Sequence, residues 1–195
     1  YRMMTSRSEY RLILRQDNAD IRLSKIGHDI GLVSNERYQA VLDKYDQVKK
    51  EIQRLEKTHI APTAELAEFL AVHGTASPPS GVSLAALIRR PQLSYKALAP
   101  FDKNRPELPA AVQEEAEISI KYDGYIKKQL HQVEEFKKME AKKLPQDIEY
   151  AGIKGLRIEA RQKLDKIRPD NIGQASRISG VSPADIAALM IYLDR

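Results

Sequence analysis

The chain has 195 residues and no cysteine, and its 32 Lys and Arg against 27 Asp and Glu leave a net charge of +5. At this length folding hides about 70% of the unfolded surface, enough for a real core and one or two helical units. Disulfides, thiolate nucleophiles and Cys-ligated metals are excluded, no apolar run approaches the roughly 20 residues that span a bilayer, and no signal-peptide stretch opens the chain, so a cytoplasmic setting without membrane is expected.

Charge is unevenly spread. Arg2, Arg7, Arg11, Arg15, Arg22 and Lys25 face only Glu9, Asp17 and Asp20, and Lys154, Arg157, Arg161, Lys163, Lys166 and Arg168 face only Glu159 and Asp165. Tyr1-Arg2-Met3-Met4 does not read as a natural start, and a fragment of a longer protein is expected. Residues 6–16 and 20–31 are expected as short helices, with Asp17-Asn18 as the turn or cap between them. On the first helix, Arg7, Arg11 and Arg15 are four apart and would form one guanidinium stripe; the alternative is an ordinary solvated face. From Ser34, the apolar residues Tyr38, Val41, Tyr45, Val48, Ile52 and Leu55 recur at spacings of three and four, which predicts a long amphipathic helix packed within the domain. Residues 63–73 and 83–90 are expected as shorter helices, the second stopped by Pro91, with loops at 76–81 and 99–109.

Residues 110–144 form the second long segment, apolar at Val112, Ala116, Ile120, Ile126, Leu130 and Val133. Gly124 weakens a helix there, and Ile118, Ile120 and Tyr122 alternate as in a strand. Within it, Lys121-Tyr122-Asp123-Gly124-Tyr125-Ile126-Lys127-Lys128 sets two aromatics among three lysines, a mixture suited to stacking bases and holding phosphates, or to an ordinary protein interface. After Pro145, three helices are expected at 158–167, 172–178 and 183–193. The last two read as a helix, tight turn and helix through Ala175-Ser176-Arg177-Ile178-Ser179-Gly180-Val181-Ser182-Pro183, in which Ser182 caps and Pro183 takes the first helical position. That hairpin also looks like a repressor helix-turn-helix, but Ala184, Ala187 and Ala188 offer nothing to a base edge. The fold expected is all-α: an irregular helical region at 1–145 with two long amphipathic helices and a variable connector near 58–109, then a compact three-helix module at 146–195.

No catalytic set is visible. No two of His28, His59, His73 and His131 stand at ligand spacing from one another, and no phosphate-cradling, zinc-binding or nucleophile-elbow motif occurs. The chain by itself is therefore expected to be non-catalytic, with no cofactor and no metal.

Four segments in order, Tyr1 to Leu12, Asp17 to Leu23, Lys121 to Ile126 and Ile172 to Ile186, resemble the C-terminal region of the glucose-inhibited division protein A family, flavin-dependent tRNA uridine 5-carboxymethylaminomethyl modification enzymes. Residues 58–109 carry no specific signature, Met4 stands where the family commonly has Phe, and Ser8 where Ala is usual. The resemblance implies an upstream domain holding FAD, with NADH as reductant and a methylene-tetrahydrofolate carbon donor. It also implies a homodimer that works with a tRNA-modification GTPase on the wobble uridine. It makes this region one that binds tRNA and docks the GTPase. The expected tRNA-binding residues are Arg7, Arg11, Arg15, Arg22, Lys121, Tyr125, Lys127 and Lys128; the expected partner-binding residues are Lys154, Arg157, Arg161, Arg177 and Gly180. The alternative is a helix-turn-helix DNA-binding regulator.

Overall fold

A computed structural model describes residues 10–194. The described chain is mostly helical and packs as two compact units divided between Lys127 and Lys128, inside the longest helix and upstream of Pro145.

In the first unit α1 (Ala19–Asp29) and α2 (Asn35–Lys57) are followed by α3 (Ala64–Val72), α4 (Leu84–Ile88) and the start of α5 (Ala110–Ala141). Three of these helices begin where a hydroxyl side chain takes an orphan amide: Ser34 from Arg37, Thr63 from Leu66 and Ser83 from Ala86. The α2 seam reaches the core through Val48, half-buried Ile52, and Leu55, which packs with Leu66 and Leu70 of α3, Leu84, Leu87 and Ile88 of α4, and Ile120 of α5. Burying each such leucine contributes roughly 1.5–3 kcal/mol before entropy is charged. One small sheet was not anticipated. Strands β1 (His59–Ile60) and β2 (Val82–Ser83) pair antiparallel, with His59 opposite Ser83 and Ile60 opposite Val82. Two residues each is all the local chain allows, because Pro62 follows the first strand and Ser83 already caps α4.

Two sequence expectations change. Residues 10–16 form a single turn, in which the amides of Ile13 and Leu14 bond to the Tyr10 carbonyl and the helix goes no further. Side chains compete for the backbone there: the Asn18 amide donates to the Ile13 carbonyl at 2.9 Å, and Arg15 donates to the Leu12 carbonyl at 2.7 Å. The strand-like alternation at 118–122, by contrast, lies inside continuous helix. Val112, Ala116 and Ile120 recur every four residues on the buried face, and the resulting core outweighs both the alternation and Gly124.

The second unit holds the end of α5, a 3-10 turn at Tyr150–Gly152, and α6 (Ile158–Ile167), α7 (Ile172–Ser176) and α8 (Pro183–Leu193). Their core joins Leu144, Ile148, Tyr150, Ile153, Leu156, Leu164, Ile172 and Leu189. At Gly173 an added Cβ would sit 2.5 Å from Glu140 Cγ and 3.2 Å from its backbone, so this glycine is what lets α7 close on the end of α5.

Candidate nucleic-acid interface

Arg7 lies outside the described residues. Arg11 and Arg15 sit on the turn at 10–16, so no guanidinium stripe of helical spacing forms across them. Arg15 is the best tethered of the group. Its Nε and Nη2 reach the Asp17 carboxylate at 2.8 to 3.1 Å, its Nη2 lies 3.7 Å from Glu115, and its side chain is 14% exposed. The hydrogen bond from Arg15 draws the Asp17 carboxyl below its usual range and raises the guanidinium in return. Burial followed by the nearby Asp17 charge pushes Glu115 upward. Burial would also raise Asp20, but hydrogen bonds from Lys44 and Tyr45, at 2.9 and 2.8 Å, hold it below the ordinary value.

The same fold brings two segments far apart in sequence onto one face of the first unit. The Arg15 guanidinium lies 5.9 Å from the centre of the Tyr122 ring, and Tyr122 and Tyr125 are 6.5 Å apart in a tilted pair. Tyr125 is 65% exposed, leaving one ring free to stack. Arg22 joins the cluster through its neighbours, donating to the Asn18 side chain at 2.8 Å and to the Arg15 carbonyl at 3.0 Å, with no carboxylate in reach among the described residues. Lys121 pairs with Glu117 and Lys127 with Asp123, one helical turn away in each case. The second pair is at the surface, with Lys127 74% exposed, so breaking it costs little. Arg11 and Lys128 are exposed cations with no ion pair among the described residues.

In the second unit the arginines expected to meet a partner are mostly occupied within the module. Asp185, on the first turn of α8, is buried and accepts from the amide and hydroxyl of Ser182, from the Arg157 amide at 3.1 Å, and from Arg157 Nη2 at 2.7 Å. Its carboxyl is held far below the usual range, first by Arg157 and then by Ser182. Arg157 also donates to the Gly180 carbonyl at 2.9 Å, so one side chain fastens α6 to the hairpin. Gly180 itself has φ +96°, and an added Cβ would press on Lys163 and Glu159. Arg177 pairs with Glu140 at 2.7 Å, Lys154 stands exposed, and Arg161 is half-buried, with one donated bond to the Ile153 carbonyl at 3.1 Å. The outer face of α8 exposes Ala184, Ala187, Ile191 and Tyr192, none of which reads base edges by hydrogen bonding as Arg, Asn or Gln does. Asp185 was missed from the sequence, although Ser182 and an acid three residues on is the spacing of a capping box.

Two family models match nearly end to end. Residues 35–130 match the tRNA modifying enzyme MnmG/GidA C-terminal helical domain, and residues 132–195 match the tRNA modifying enzyme MnmG/GidA C-terminal helical bundle. The chain belongs to the MnmG/GidA family. It is 58% identical over all 195 residues to the tRNA uridine 5-carboxymethylaminomethyl modification enzyme MnmG of Lachnoclostridium phytofermentans, and equally to that of Caldicellulosiruptor saccharolyticus. In each case it spans 31% of the relative's length. Aquifex aeolicus GidA in its form II crystal superposes with a TM-score of 0.65 at 36% identity, over 100% of this chain and 30% of that one. The form I crystal gives 0.61 at 38% identity, over 99% and 29%. The boundary between the two MnmG/GidA models lies beside the division between the compact units, so α5 supplies the end of one family domain and the beginning of the next.

Among the described residues no group of three or more His, Asp and Glu is placed to hold a metal, and no helix is long and apolar enough to cross a membrane. The described residues do not suit a dinucleotide either: the two strands are antiparallel and two residues long, and no glycine-rich turn leads from a parallel strand into a helix.

Proposed function

We propose that this chain is the tRNA-binding and GTPase-docking region of an enzyme that installs the carboxymethylaminomethyl group at C5 of the tRNA wobble uridine. The names of the relatives supply the substrate and the modification. What supports a tRNA contact in this chain is the convergence of Arg15, Tyr122 and Tyr125 on one face, with Arg22 tied to it and Lys121, Lys127 and Lys128 on the same helix as the tyrosines. Aromatic rings able to stack unpaired bases, flanked by cations for phosphate, suit folded RNA better than a duplex groove. FAD, NADH, the methylene-tetrahydrofolate donor and the homodimer are ascribed to the full-length enzyme. The terminal module is assigned to the GTPase, on the grounds that α8 lacks base-reading side chains while Lys154, Arg157 and Arg177 stand exposed along the module.

Salt-titrated binding tests the tRNA half. Removing one cation that neutralises a phosphate should flatten the log-log salt slope by about 0.7 to 0.9. Arg11→Ala with Lys128→Ala is therefore expected to flatten it by about 1.5, and Tyr125→Ala to weaken binding with little change in slope. Unchanged slope and affinity in both variants, or equal affinity for tRNA and duplex DNA, would return these residues to an ordinary solvated face.

A further inference from the structure

The second unit contains four described arginines, and three of them meet a carboxylate: Arg157 with Asp185, Arg168 with Asp165, and Arg177 with Glu140. Arg161 is the exception. It is half-buried on α6, its Nη2 is used on the Ile153 carbonyl, its Nε is buried without any hydrogen-bond partner, and among the described residues no carboxylate lies within ion-pair distance. A guanidinium partly withdrawn from water with neither counter-charge nor full hydrogen bonding is a costly arrangement, and a bound anion relieves it. It also lines a cavity of about 530 Å³ between α6 and the 3-10 turn. Beside it stand Gln162, whose side-chain amide has no partner among the described residues, and Ile158, a large apolar residue that is 73% exposed. The lining also includes Asp165, paired with Arg168, and exposed Glu149.

We infer that this groove is a docking subsite for an acidic side chain of a partner protein, whose carboxylate pairs with Arg161 and accepts from Gln162 while an adjoining apolar residue covers Ile158. The inference rests on the protein-docking role given above to the terminal module. The acid residues of the groove select the class of ligand. Asp165 is neutralised by Arg168, which lines the same groove, and Glu149 offsets Arg161, so a nucleic-acid backbone finds no excess of positive charge there, whereas a single carboxylate on an apolar segment meets Arg161 and Ile158 together. Burial of the exposed isoleucine by that segment then shields the new ion pair from water.

The test uses the whole 195-residue chain, isotope-labelled for NMR, titrated with N-acetyl-leucyl-glutamate amide, with its glutamine counterpart, and with inorganic phosphate. The acidic peptide should move the Arg161 Nε–H and Gln162 side-chain signals saturably; the glutamine peptide and the Arg161→Gln variant should show binding at least about tenfold weaker, and Arg161→Lys a partial recovery. Unaltered dispersion of the remaining signals shows that the variants fold. Equal response to both peptides, no saturable response, or stronger binding of phosphate than of the acidic peptide would each overturn the assignment. A second arm places Arg161→Glu in the full-length enzyme and measures association with the tRNA-modification GTPase, which should weaken about tenfold. If the acidic peptide binds but GTPase association is undiminished, the docking role of the module fails while the carboxylate subsite stands.

Discussion

Replacing Arg54 with Met should destabilise the first unit by about 3 kcal/mol. Arg54 grips two carboxylates at once: its Nε and Nη2 donate to Glu51 at 2.8 and 2.7 Å, and its Nη1 and Nη2 donate to Asp102 at 2.9 and 2.6 Å. Both acids are buried, while the Arg54 side chain is 23% exposed. Glu51 also accepts from the Tyr95 hydroxyl at 2.8 Å, and burial with that bond pushes the phenol up to about 12. Methionine retains most of the stem and its packing but leaves two carboxylates inside the protein with no cation. Removing one partner of a buried pair costs about 3–5 kcal/mol, and the partial exposure of Arg54 places this case at the lower end. With a urea slope of about 1–3 kcal/mol/M, the midpoint should fall by about 1–3 M. Amide exchange in α2 and α4 reads the first unit alone. A triple variant, Arg54→Met with Glu51→Gln and Asp102→Asn, should recover much of the loss, since the charges needing compensation are gone. A single variant within about 0.5 kcal/mol of the parent, or a triple variant no better than the single, would refute the reasoning.

Two pH experiments probe acids shifted in opposite directions. Glu115 is raised by burial, so the stability it contributes is present below its unfolded value of 4.5 and lost as pH rises through the folded value. Glu115→Gln should therefore match or exceed the parent's thermal midpoint at neutral pH and fall behind it in acid; a variant less stable at neutral pH would show that the Arg15 interaction dominates. Asp185 is depressed, so its contribution is present above the unfolded value of 3.8 and lost as pH falls through the folded one. Asp185→Asn should be less stable across neutral pH, with the deficit closing only in strong acid; a deficit independent of pH would assign the effect to cap geometry instead of charge.

Most helices of this chain were legible in its sequence because their signals are local. The three-and-four spacing of the α2 seam, the hydroxyl caps at Ser34, Thr63, Ser83 and Ser182, and Pro183 on the first turn of α8 each act within a turn or two of the residues that carry them. The family was legible too, from four motifs in order. What the sequence alone left undecided depended on which partners the side chains take once folded, several of them far apart along the chain. Arg15 reads as one member of a stripe until the fold sets Asp17, Glu115 and Tyr122 around it. The segment at 10–16 has helical composition, yet Asn18 and Arg15 take the carbonyls that a helix would need. Arg157 and Arg161 look alike one turn apart at the start of α6, and only tertiary structure gives the first a buried aspartate from 28 residues away and leaves the second without a counter-charge among the described residues. Local propensity sets where helices begin and end; which charges remain free to meet a ligand is settled by the long-range pairing that folding imposes, because an ion pair depends on distance in space and not on separation along the chain.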